Sequence, residues 1–384
     1  MLGPSVASSD RAAAAEWRTQ AKAFADREIR PLAESIDRDD RIPDPLVRVL
    51  SDNGFLGVGL PEAWGGSGGD TRSTVAVLEE FSQASAAVGV LLAVHLSVCA
   101  APILTWGSEA QKERYLRPLA QGKGVGAFAL TEAGAGSDTA RIATRYVRSG
   151  AGFVLRGTKM FTSNGVSAGV VLVFATSDPA LGHRGISGFI VPADAKGLSV
   201  AQRLEKLGLR GSETTELVLD EVALSSDGLL GPEGSGLKVA LGALTGGRVG
   251  IASCALGVAQ AAFDEMRRAV QARDEAWKRT QLARAYSDLL AARALVERAA
   301  ERKDAGLPFV EDASVAKLVA SRAAVEIASA GVDVAGPEGV RAGAPAERLL
   351  RDARVFPIVE GTTEIQELIL ARSLLASAGP AQPL

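Results

Sequence analysis

With 384 residues the chain exceeds what one hydrophobic core usually serves, so two or three packed units are expected. Hydrophobic residues at 47% and charged residues at 23% exclude a disordered or fibrous protein. Forty-two basic against 45 acidic side chains, without like-charge blocks, argue against a nucleic-acid surface, and two histidines are too few for a histidine-rich metal centre.

The first residues are small and polar, without the basic-then-apolar pattern of a secretory leader. From residue 10 to about 122 the pattern is helical: residues 11–35 carry apolar positions at helical spacing, and breakers from Gly54 through Pro61 and Gly65-Gly66 to Gly69 mark a turn-rich passage. The almost wholly apolar residues 86–104 include His95, Ser97 and Pro102 and lack flanking basic clusters. They read as a buried core helix with no membrane insertion. A charged helix follows at 111–119. Cys99 and Cys254 have no metal-type spacing and sit among apolar residues, which predicts buried, reduced thiols in a cytoplasmic protein.

From about 124 to 232 short β-rich runs appear, at 153–156, 170–175, 188–191 and 216–219, separated as in an antiparallel sheet or barrel. Long Ala- and Leu-rich helices then occupy 239–271, 275–305 and 313–330, with a last helix at 363–376. The expected fold is therefore α+β and multi-domain: a helical unit over 1–123, an antiparallel β unit over 124–232 and a helical bundle over 233–384. This order is unlike the strand–helix alternation of a dinucleotide-binding fold.

Three segments carry polar residues suited to chemistry. In AFALTEAGAGSDTA (127–140) a strand-like run ends in a loop where small residues let backbone amides approach a ligand and where Thr131 and Ser137 can bond to it. Taken alone it is an ordinary turn. GTKMFTSNG (157–165) reads, as a local pattern, as a hairpin with an Asn-Gly turn. In IVEGTTEIQELILAR (358–372), Glu360 stands between Val359 and Gly361, just before the helix-opening Thr362-Thr363-Glu364. A solvated residue at a helix start is the simplest reading, yet burial there would raise the carboxyl pKa into the range of a general base.

Together these segments resemble the acyl-CoA dehydrogenase family. The matches also include KLGLRGSETTEL at 206–217, GGRVGIASCALG at 246–257 and ERLLRDA at 347–353, in order over nearly the whole chain. The resemblance implies a helical domain, a central β domain and a C-terminal four-helix bundle, with FAD as cofactor. Phe128, Ala129, Leu130, Thr131, Gly134, Gly136 and Ser137 would line the isoalloxazine and ribityl chain. Phe161, Thr162 and Ser163 would pack on its other side, and Thr362, Thr363 and Glu364 would also touch it. Ser137, Thr245, Arg248, Val359 and Gly361 would face an acyl thioester, and Glu360 stands at the position of the base. The base's other family location corresponds to Gly247, which has no side chain to compete. The implied reaction removes the α-proton to Glu360 and passes the β-hydride to flavin N5. The thioester carbonyl is held by the ribityl 2′-hydroxyl and the Glu360 N–H. An electron-transfer flavoprotein would then reoxidise the flavin, and the assembly would be a homodimer or homotetramer.

Four departures qualify the resemblance. The residue before the base is usually aromatic but is Val359 here, and the Asp usually three residues before Arg248 is Thr245. The hairpin at 268–283 lacks the family's Arg-x-x-Phe-Gly loop. The Gln-x-x-Gly-Gly run is VDVAGPEG (332–339), leaving Asp333 and Gly336 to meet the adenosine half of a neighbour's FAD. Altered CoA contacts leave open a substrate carried on an acyl-carrier protein. A non-catalytic flavin-binding relative would predict a lost base and a basic surface.

Overall fold

The computed structural model describes residues 8–377; both ends, including the stretch read above for a leader, lie outside the described residues. The Ala- and Arg-rich opening forms α1 (Ser8–Phe24), a π-helical turn at Ala25–Ile29, α2 (Ala33–Asp39) and α3 (Asp44–Asp52). The breaker-rich passage is irregular until the Asp70 carboxylate accepts the Ser73 N–H at 2.8 Å, capping α4 (Thr71–Ala84). Helix α5 (Ala86–Ala93), a π segment at Val94–Ala100 and α6 (Ala101–Trp106) make one continuous run. The run is long and apolar enough to cross a membrane, yet its most apolar window is 83% buried within the protein. Short α7 (Glu109–Gln111) and α8 (Arg117–Ala120) lead into the sheet.

Strands β1 (Val125–Ala129), β2 (Arg145–Ser149), β3 (Gly152–Ser163), β4 (Ala168–Thr176), β5 (Ile186–Pro192), β6 (Leu198–Arg203), β7 (Thr214–Leu224) and β8 (Leu229–Leu230) form one sheet. Its order is β6-β7-β3-β2-β4-β5-β8, with β1 beside β4. Most pairings are antiparallel; β1 runs parallel to β4. The apolar run of β4 is continuous because both faces are covered. Val170, Leu172 and Phe174 join the helical core, while Val171, Val173 and Ala175 join a second core on the other face with Tyr146, Phe153 and Phe189.

The Asn-Gly hairpin expected at 164–165 does not form: β3 pairs with β2 and β7, and β4 with β1 and β5. The reason is tertiary. Asn164, at φ 61°, donates its Nδ2 to the carbonyls of Leu91 (3.1 Å) and Gly126 (3.0 Å), tying the end of β3 to α5 and β1. The Glu213 carboxylate meanwhile takes the N–H groups of Val166 and Ser167 and leads the chain away from β3.

The last part comprises α9 (Gly236–Ala272), α10 (Ala276–Asp304), α11 (Val310–Ala335), α12 (Pro345–Ala353) and α13 (Thr363–Ser377). Helix α9 is also apolar enough to span a membrane, and its window is 72% buried. Glycine lets it lie close to α4: a Cβ on Gly257 would sit 2.4 Å from the Glu79 carbonyl oxygen. Buried Glu79 pairs with Arg18 (2.8 Å) and Arg293 (2.6 Å), joining α1, α4 and α10. Arg351 pairs with Asp37 at 2.7 Å, and Asp352 accepts the Leu209 N–H at 2.6 Å, so the 206–212 loop is clamped between the first and last helices. The α9–α10 link is only residues 273–275. Its basic neighbours are engaged locally, Arg273 and Lys278 with Glu275 and Arg279 with Asp274.

Candidate active site

The chain enters the site through a turn at 354–361 that is fixed at several points. Ser321 Oγ donates to the Phe356 carbonyl (3.2 Å), the Thr363 N–H donates to that of Pro357 (2.9 Å), and Thr362 Oγ1 accepts the Ile365 N–H (3.4 Å) to start α13. Between these anchors Glu360 and Gly361 adopt φ of 57° and 91°. A left-handed glutamate is disfavoured by about 1–2 kcal/mol and persists only where its surroundings over-determine it. Here they do. Buried Lys317 on α11 donates Nζ to the Gly361 carbonyl at 2.8 Å. Gln366 Nε2 donates to the same oxygen at 2.9 Å and to the Glu360 carbonyl at 3.3 Å.

This backbone turns the Glu360 side chain inward onto α9. A Cβ built on Gly247 would lie 2.5 Å from Glu360 Oε2 and 2.9 Å from both its Cδ and Val98 Cγ1. The carboxyl therefore occupies space that Gly247 leaves empty. Although the residue as a whole is half-buried, Oε2 is sealed from solvent and has no hydrogen-bond partner among the described residues. Burial lifts its pKa from the ordinary 4.5 to about 7, against the opposing charges of Arg248 and Lys317. Next to Gly247, buried Arg248 has an Nε without a hydrogen-bond partner among the described residues and is pushed below its usual pKa by burial.

The other segment read for cofactor contacts is the loop after β1. Lys159, fully buried on β3, donates to the Leu130 carbonyl (3.1 Å) and pairs with Glu132 (2.6 Å). The Glu132 carboxylate also takes the N–H groups of Ala143 (2.6 Å) and Thr144 (3.0 Å). Burial, tending to raise the Glu132 pKa, is outweighed by Lys159 and these bonds, and Lys159 itself falls to about 8 through burial. Met160 N–H donates to the Thr131 carbonyl at 2.8 Å, joining loop and strand.

Within that frame Ala129 and Leu130 are buried and Phe128 packs on Phe174 with centroids 5.1 Å apart. Gly134, Gly136 and Ser137 are exposed, and a Cβ on either glycine would meet none of the described residues within 4 Å beyond its own chain neighbours. Phe161, at φ 55°, leaves 62% of its surface open. Beside it, Thr162 Oγ1 is buried without a partner among the described residues and Ser163 is half-buried. His95 ties β1 to the N-terminal helical part: its Nδ1 accepts the Gly126 N–H at 3.0 Å and its Nε2 meets the Leu56 carbonyl at 2.9 Å, and burial pushes its pKa down to about 4, so it is held neutral.

The structure thus gathers Glu360, Gly361, Gly247 and Arg248, with Thr362 and Thr363 at the start of α13. Thr245 turns its hydroxyl back to the Leu241 carbonyl (2.9 Å). Asp333 is exposed near the end of α11, and Gly336 ends that helix at φ 68°. Sequence reasoning did not single out Lys317, Gln366 or Val98.

A sealed carboxyl whose proton affinity is raised by burial is the kind of group that can take a weakly acidic proton. The chain matches family models for the acyl-CoA dehydrogenase N-terminal domain at residues 12–123, middle domain at 127–222 and C-terminal domain at 234–375. It is 38% identical over 365 residues to a short-chain-specific acyl-CoA dehydrogenase of Clostridium acetobutylicum, covering 92% of this chain and 96% of that one. Among solved structures, butyryl-CoA dehydrogenase from Megasphaera elsdenii superposes with a TM-score of 0.93 at 33% identity, covering 97% of this chain and 100% of that one. A chain in a structure described for the electron-transferring flavoprotein of Acidaminococcus fermentans superposes at 0.94 with 34% identity, again over 97% and 100%. The chain belongs to the acyl-CoA dehydrogenase family, a family of flavoprotein oxidoreductases, and has its helix–sheet–helix fold.

Proposed function

We propose that this chain is an FAD-dependent dehydrogenase of short-chain acyl-CoA thioesters, forming a 2,3-enoyl thioester, with Glu360 as the base. One observation carries the reading: the Glu360 carboxyl lies in the space over Gly247, its Oε2 sealed and without a hydrogen-bond partner among the described residues, with a pKa raised by burial to about 7. The short-chain assignment is supported by the relatives' names.

The residues present fit a flavin. An exposed aromatic ring at positive φ, an unpartnered buried hydroxyl on Thr162 and two open glycines suit a flat ring with a polar tail. Phe128–Thr131, Gly134, Gly136, Ser137 and Phe161–Ser163 would hold it, with Thr362–Glu364, and Asp333 and Gly336 of a second copy would meet its adenosine end. When bound, the flavin supplies a two-electron acceptor for the hydride leaving the β-carbon. The protein's own part is the proton: Glu360 Oε2 takes it from the α-carbon, and its raised proton affinity narrows the gap to so weak a carbon acid. Arg248, Ser137 and Gly361 line the thioester, Thr245 faces its CoA arm, and Val359 leaves room beside the reacting carbons. We further assign an electron-transfer flavoprotein as acceptor, a homodimer or homotetramer as the assembly, units divided at 123/124 and 232/233, and the cytoplasm as the location.

The test is anaerobic titration of the yellow protein with butyryl-CoA, branched and longer acyl-CoAs, and the same acyl groups on a carrier protein. Bleaching by short acyl-CoA is expected. Bleaching by carrier thioesters alone would reassign the carrier, and no bleaching by any would overturn the reading.

A further inference from the structure

We propose that Lys317 is a positioning residue: its bond to the Gly361 carbonyl holds the left-handed Glu360–Gly361 turn while its charge stands beside the base. The inference rests on the reading of Glu360 as that base.

Lys317 occupies the apolar stripe of α11, in line with Ala313, Ala316, Ala320 and Ala324, and is 0% exposed. Methionine would fill a similar volume without the cost of burying an ammonium group, and the acceptor Lys317 Nζ bonds is a backbone carbonyl rather than a carboxylate. Its hydrogen bond runs to the Gly361 carbonyl at 2.8 Å. Gln366, also fully buried, supplies a second donor to that oxygen at 2.9 Å, so two side chains from different helices converge on the peptide that aims Glu360. A cation at that point both fixes the turn and favours the ionised carboxyl.

The charged and titratable groups around Glu360 define what its removal should do. Helix α9 contributes Arg248 and the Cys254 thiol, pushed up to about 12 by burial and so neutral. Helix α11 contributes Lys317, lowered to about 8 by burial against the pull of Glu360. Helix α13 contributes exposed Glu364, and Lys303 of α10 reaches Gly246, one residue from Gly247. Arg248 and Lys317 are the two that lower the Glu360 pKa against burial.

The experiment uses holoprotein carrying K317M, K317Q or K317R, with E360Q to assign the carboxyl band in infrared pH titration. Loss of a neighbouring opposite charge should raise the Glu360 midpoint by about one unit or more in K317M and K317Q, whereas K317R should stay near wild type. The pH profile of flavin reduction by butyryl-CoA should move by the same amount, about tenfold slower for each unit at pH below the midpoint. Flavin content and thermal midpoint show that each variant is folded, and K317Q keeps a donor should K317M fold poorly. A midpoint unchanged in both neutral variants, with a rate loss uniform in pH, would reduce Lys317 to packing and overturn the proposal. Wild-type protein that no thioester reduces would instead overturn the reading of function, which the infrared titration registers separately.

Discussion

Gly247→Ala tests the geometry of the site with one methyl group. The added Cβ would lie 2.5 Å from Glu360 Oε2 and 2.9 Å from Val98 Cγ1, contacts about 1 Å too short, and Val98 is itself buried. Overpacking of this kind costs about 1–3 kcal/mol, while Ala for Gly inside a helix returns about 1 kcal/mol, so the net loss should be about 0–2 kcal/mol. The effect on chemistry should be larger than the effect on stability. The carboxyl is the movable partner, and a displacement of about 1 Å of a reacting group costs on the order of a hundredfold in rate. Stopped-flow reduction by butyryl-CoA under anaerobic conditions measures the second quantity and thermal unfolding the first. A folded, flavin-loaded Gly247→Ala protein that is reduced at the wild-type rate would refute the placement of the base over Gly247.

Val359→Tyr should penalise branched acyl groups more than straight short ones, read as kcat/KM across a substrate panel; an equal loss on all would mean that Val359 does not face the substrate. Stability should also depend on pH through Glu360. Its folded pKa of about 7 exceeds the ordinary 4.5, so its stabilising contribution is complete below about 4.5 and is lost as pH rises through 7. Two and a half units correspond to about 3 kcal/mol, so in denaturant titrations E360Q should gain on wild type by up to that amount between pH 4.5 and 7.5. A difference independent of pH would place the carboxyl in water.

Much of this was legible because local and global preferences agree. The apolar 86–104 run, the alternating breakers of the β region and the Thr362-Thr363 helix start all point the way the tertiary structure goes. Failures came where a distant residue decides. Asn164-Gly165 has the composition of a hairpin, but Asn164 bonds to Leu91 and Gly126, far away in sequence. The parallel pairing of β1 with β4 leaves no trace in either strand's composition. Lys317 gave a readable sign, a lysine on the buried stripe of an Ala-rich helix, yet its target 44 residues away could not be inferred from spacing. Gly247 was visible as a missing side chain; that its absence accommodates the Glu360 carboxyl required the fold.

The most direct measurement is the single-turnover rate of flavin reduction by butyryl-CoA in wild type and E360Q, matched for flavin content and thermal midpoint. A general base contributes about 10²–10⁴-fold, so E360Q should be reduced at least a hundred times more slowly while still binding the thioester. Near-normal reduction of folded, flavin-loaded E360Q would place the base elsewhere and contradict the account.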